Sequence, residues 1–103
     1  MYKIGIYIPE SHLDVVKSAM FAAGAGQIGA YRACSWEIMG QGQFIPSKDA
    51  YPYEGSAEVL SQVAEFRVEM VCQKEKIADV INALKKVHPY EEPAYDVVEL
   101  VDV

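Results

Sequence analysis

The chain has 103 residues, 51% of them hydrophobic and 23% charged, with a formal net charge of −6 at pH 7. This is the composition of one ordinary globular domain, residues 1–103, and it excludes a disordered chain. The acidic balance offers no cationic stripe for nucleic acid, Lys85-Lys86 being only a pair, and no apolar run approaches the roughly 20 residues that cross a bilayer.

Residues 2–8 alternate, with Tyr2, Ile4, Ile6 and Ile8 on one face and Lys3, Gly5 and Tyr7 on the other. That spacing predicts a strand with one face buried. Ser11, with Asp14 three residues on, predicts a capped helix start. Leu13, Val16, Met20 and Ala23 then recur at helical spacing, and Gly24 is placed to end the helix with positive φ. Ile28 to Met39 reads as a second strand, with Cys34, Trp36 and Ile38 on one face, and Gly40-Gln41-Gly42 as a bend or bulge after it. A turn-rich stretch runs from Pro46 to Ser56. The clearest strand follows: Ala64, Phe66, Val68, Met70 and Cys72 alternate with Glu65, Arg67, Glu69, Val71 and Gln73. Lys74 to Val87 predicts a second helix with a stripe of Ile77, Val80, Ile81, Leu84 and Val87, stopped by Pro89. Residues 94–103 read as the last strand.

The order strand, helix, strand, strand, helix, strand predicts an α+β fold, the ferredoxin-like βαββαβ sandwich, with two helices on one face of an antiparallel sheet. Tyr7, Tyr31, Ala33, Val71, Tyr95 and Val97 then fall on the opposite face. A sheet apolar on both sides needs a second cover, so a closed homo-oligomer is expected, with clefts where copies meet.

Chemistry concentrates in His88-Pro89-Tyr90-Glu91-Glu92-Pro93-Ala94-Tyr95-Asp96. An imidazole, two tyrosines and three carboxylates exceed what a plain helix-to-strand connection needs. His88 ends a helix, where the dipole favours a cationic ring capping carbonyls; a metal role shared with Glu91 or Glu92 is the alternative. Gly24-Ala25-Gly26-Gln27-Ile28-Gly29 spells a dinucleotide fingerprint, but it follows a helix and opens a strand, the reverse of what a pyrophosphate site requires. Cys34 and Cys72 read as buried small hydrophobes or as a thiol pair for a soft metal. Two cysteines make no disulfide framework, and the start lacks the pattern of an export signal, so the cytoplasm is the expected compartment. No serine sits in a nucleophile elbow, so catalysis by this chain is not expected.

Two stretches together carry a family resemblance. The first is Ala22-Ala23-Gly24-Ala25-Gly26-Gln27-Ile28-Gly29-Ala30-Tyr31-Arg32-Ala33-Cys34-Ser35-Trp36, running on to Gly40-Gln41-Gly42-Gln43-Phe44-Ile45-Pro46; the second is the His88–Asp96 segment. They resemble the inserted domain of the Nif-three-like (YqfO-type) proteins, often called GTP cyclohydrolase I type 2 homologues. That domain is similar to PII signalling proteins and trimeric CutA proteins. The resemblance implies the same fold and a homotrimer. It places Cys34, His88, Tyr90, Glu91, Glu92 and Tyr95 at family motif positions, as candidate ligand-binding residues. Full family members hold a dinuclear metal site on two flanking domains, and no residue here matches those ligand motifs.

The expected function is therefore a stand-alone, non-catalytic PII/CutA-like module with a regulatory or small-ligand-binding role and no certain cofactor. The alternatives are a CutA-type divalent-metal (copper or zinc) protein, with His88 and Glu91 as candidate ligands, and an accessory domain to a dinuclear-metal hydrolase supplied in trans as a protein partner.

Overall fold

The computed structural model describes all 103 residues. It contains β1 (Tyr2–Pro9), α1 (Leu13–Ala22), β2 (Trp36–Phe44), β3 (Ser61–Cys72), α2 (Ile77–Val87) and β4 (Tyr95–Glu99), with a 3-10 turn before each helix. The sheet order is β2-β3-β1-β4, and every neighbouring pair is antiparallel. Both helices pack on one face, which is the expected ferredoxin-like sandwich. No helix is long and apolar enough to cross a membrane.

The core lies where the periodicities intersect. Ile4, Ile6 and Ile8 of β1 and Val68, Met70 and Cys72 of β3 meet Val16 and Met20 of α1 and Val80 and Leu84 of α2, all buried. Removing these side chains from water is the main favourable term holding the sandwich together. Helix α1 ends in a Schellman motif: Ala25 N–H donates to Met20 O at 3.1 Å and Gly24 N–H to Phe21 O at 3.0 Å, with Gly24 at φ 121°. Ala25 and Met20 are both buried, which supplies the hydrophobic contact that accompanies the motif. The expected Ser11 cap does not form; its hydroxyl lies 2.8 Å from His12 Nδ1 instead.

Three local expectations are corrected. Residues 28–35 are not strand. Gly26, Gly29 and Ala33 have positive φ, Cys34 N–H returns to Gly26 O at 2.8 Å, and Gly26 N–H takes Val71 O at 2.8 Å. The segment folds back on itself and consumes the bonds that a longer β2 would make. Gly40-Gln41-Gly42 is regular strand, paired with Glu65, Ala64 and Val63. Tyr95 and Val97 face the helices, because β4 pairs Tyr95 with Ile6 and Val97 with Ile4. The open face instead carries Tyr7, Trp36, Ile38 and Val98 around a charged centre. There Arg67 bonds Asp96 at 2.8 and 3.2 Å, lies 3.4 Å from Glu69, and stacks 5.0 Å from the Tyr7 ring centroid.

Candidate functional site

The β2–β3 hairpin extends past the end of β1, whose last residue, Pro9, pairs with Glu65. Beyond that point the open face has no β1 beside it. A cleft of about 750 Å³ occupies the space. Its floor is Tyr7, Ile38, Gly40, Gly42, Glu65 and Arg67; one wall is the β2–β3 loop with Ile45, Pro46, Pro52 and Tyr53; the other is the 88–94 segment with Tyr90, Glu91, Glu92 and Ala94.

Two glycines make the floor low. A side chain at Gly40 would meet nothing within 4 Å, and the space a side chain at Gly42 would take is filled by the Glu65 carboxylate. Glycine weakens a strand interior, and its usual reason for being there is the close approach of another group. The walls are joined to each other. Tyr51 N–H donates to Glu91 Oε1 at 3.0 Å, and the Tyr53 ring lies between His12 and Tyr90, with centroids 5.7 and 6.1 Å away.

His88 anchors the second wall from behind. It is buried, its Nε2 donates to Tyr7 O at 2.7 Å, and its Nδ1 accepts from Tyr90 N–H at 3.1 Å. Those partners require the neutral ring protonated on Nε2. Burial lowers the His88 pKa, outweighing the Tyr7 carbonyl, which raises it. The expected cationic cap of helix carbonyls is thus corrected: the ring is neutral and ties α2 to the end of β1. The Tyr90 hydroxyl is the one buried side-chain polar atom without a hydrogen-bond partner. Burial pushes its phenol up, and the nearby Glu65 carboxylate pushes the same way.

Of the residues singled out from sequence, Tyr90, Glu91 and Glu92 line the cleft and His88 supports it from behind. Tyr95 does not reach it; its ring packs on the core, with the Lys85 ammonium 5.6 Å away. Cys34 stands apart in the 26–35 loop, its Sγ 3.8 Å from Arg32 O, and both Cys34 and Cys72 are free thiols. No three His, Cys, Asp or Glu side chains converge as metal ligands, and both His88 nitrogens are already engaged. Sequence reasoning missed the floor. Its signal was Gly40 and Gly42 two residues apart, hence on one face of a strand, which reads as a bend when the strand is drawn too early.

No family model matches the chain. It is 48% identical over 96 residues to the GTP cyclohydrolase 1 type 2 homolog of Mycobacterium leprae, and 42% identical over 95 residues to the Bacillus subtilis protein of the same name. The matches take in 93% and 92% of this chain. They take in only 25% and 26% of those relatives, so the chain spans about a quarter of their length. A Bacillus cereus protein related to NIF3 superposes with a TM-score of 0.84 at 35% identity, over 98% of this chain and 26% of that one. The chain is homologous to one segment of the Nif-three-like proteins. The fold of this chain recurs in CutA: the periplasmic divalent cation tolerance protein of Archaeoglobus fulgidus matches all of it, and 87% of its own length, with a TM-score of 0.70 at 17% identity. That likeness is one of fold.

Proposed function

We propose that this Nif-three-like module is a non-catalytic, PII/CutA-like ligand-binding protein that holds a small molecule in the cleft at the hairpin end of its open face. The observation that carries this reading is the bare floor at Gly40, enclosed by two walls that are hydrogen-bonded to each other. The volume, about 750 Å³, is in the range of small-molecule sites. The module acts as a homotrimer in the cytoplasm, a compartment that suits its two free thiols.

Gly40→Val tests the reading. Gly40 lacks positive φ and faces open space, so valine fits the strand and fills the cleft. The variant should keep or gain up to about 1 kcal/mol of stability. Against a metabolite panel followed by ligand-observed NMR, it should lose the binding that the native protein shows. Unchanged binding in Gly40→Val would move the site elsewhere.

A second reading draws support from the relatives being about four times longer. The module then serves as an accessory domain to a metal-dependent hydrolase supplied as a separate chain. Co-expression with such a chain and recovery of a stable complex would favour it; two independent species in gel filtration would count against it.

A further inference from the structure

The charges around the cleft do not balance. Four carboxylates line it, those of Glu54, Glu65, Glu91 and Glu92, against a single cation, Arg67. Arg67 is already committed. Asp96 takes two of its N–H groups, Glu69 lies 3.4 Å from a third nitrogen, and its remaining face covers the Tyr7 ring. An anionic ligand entering here meets a negative field and no free guanidinium, within a chain of net charge −6. Glu65 stands on the floor, folded across Gly42, and takes part in no ion pair. Beside it lies the unpartnered Tyr90 hydroxyl, and Tyr7, Tyr53 and Tyr90 supply aromatic surface.

We infer that the cleft binds a small organic ammonium ion, with Glu65 as its counter-charge and tyrosine rings against its alkyl groups. This rests on the small-molecule reading above and narrows it to one chemical class. Aromatic faces attract cations, and more strongly when the cation carries an apolar, weakly hydrated surface. A bare metal ion is the poorer match. It needs several oxygen or nitrogen ligands converging on one point, which these carboxylates do not do, and it would leave most of the volume unused.

The experiment is an NMR titration of the native protein, observed at backbone amides, with choline, putrescine and 3,3-dimethylbutan-1-ol, the neutral isostere of choline. At least one of the two cations should bind, with shifts centred on Gly40, Gly42, Glu65 and Tyr90. The alcohol should bind at least about tenfold more weakly than choline. Glu65→Gln should raise the cation Kd about tenfold, whereas Glu75→Gln, on the turn before α2, should leave it unchanged. Alcohol bound as tightly as choline, at the cleft and lost in Gly40→Val, would overturn the ammonium assignment and leave the small-molecule reading standing. Cation shifts scattered over the surface and equally weakened by Glu75→Gln, or no binding by either cation, would overturn the proposal.

Discussion

His88 shows how one side chain can be structural and still define a binding wall. Its ring joins the end of β1 to the backbone of Tyr90, and both bonds require the neutral form. Its folded pKa is lowered, first by burial, from the ordinary imidazole value of about 6.5. A lowered pKa means that the unfolded chain takes up this proton before the folded one. The stabilisation is therefore complete above about pH 6.5 and shrinks as pH falls from there toward the folded value. Urea unfolding at pH 7.5 and 5.5 should show lower stability at the acid end. His88→Gln should be less stable at both and lose that part of the slope. An unchanged slope in His88→Gln would assign it to other groups. Sequence alone put His88 at a helix end, correctly. It could not show which carbonyl the ring would reach, because Tyr7 is 81 positions away in the chain.

At the scale of elements, local chemistry set most boundaries. The α1 terminus follows from Gly24, whose φ of 121° disfavours any residue with a Cβ. Gly24→Ala should cost about 1 kcal/mol, since it strains the backbone and brings a methyl group within 3.1 Å of the Lys76 side chain. Thermal unfolding would register this as a lower Tm, and an unchanged Tm would mean the turn had relaxed to another conformation. Strand β2 is the opposite case. Its alternation from Ile28 onward is genuine, yet strand begins only at Trp36, opposite Glu69. Further back, Gly26 N–H and not a β2 residue takes Val71 O, so β3 offers no free partner there. A strand exists only where a neighbour supplies bonds, and periodicity does not reveal neighbours.

At the scale of the whole molecule, the open face and its edge argue for self-association. Trp36 and Ile38 are 58% and 55% exposed, and they lie on β2, an edge strand whose outer backbone groups have no strand beside them. Exposed edges of this kind favour pairing with another chain. Sedimentation equilibrium at micromolar concentration should return about three times the 11.4 kDa protomer. Ile38→Lys should shift the distribution toward the single chain. A native protein that sediments as one chain would remove the trimer. The salt-linked centre around Arg67 makes this face less apolar than alternation implied, since Asp96 rather than Tyr95 lies on it. Residues of one chain line the cleft's floor and both walls.

Sequence by itself determined the element order, the buried stripes of both helices, the Gly24 helix end and the open-face tyrosine Tyr7. These follow from short-range rules: side-chain period, glycine conformation, and the separation of apolar from polar surface. The tertiary structure alone decided the rest. Pairing register put Tyr95 on the helix side and left Cys34 outside the site. The unequal lengths of β1 and the β2–β3 hairpin opened a cleft, and chain crossing brought Tyr53 and Tyr90 to its walls, beside Glu65 on the floor. Register and strand overhang depend on contacts between residues far apart in the chain, and local spacing carries no record of those distances.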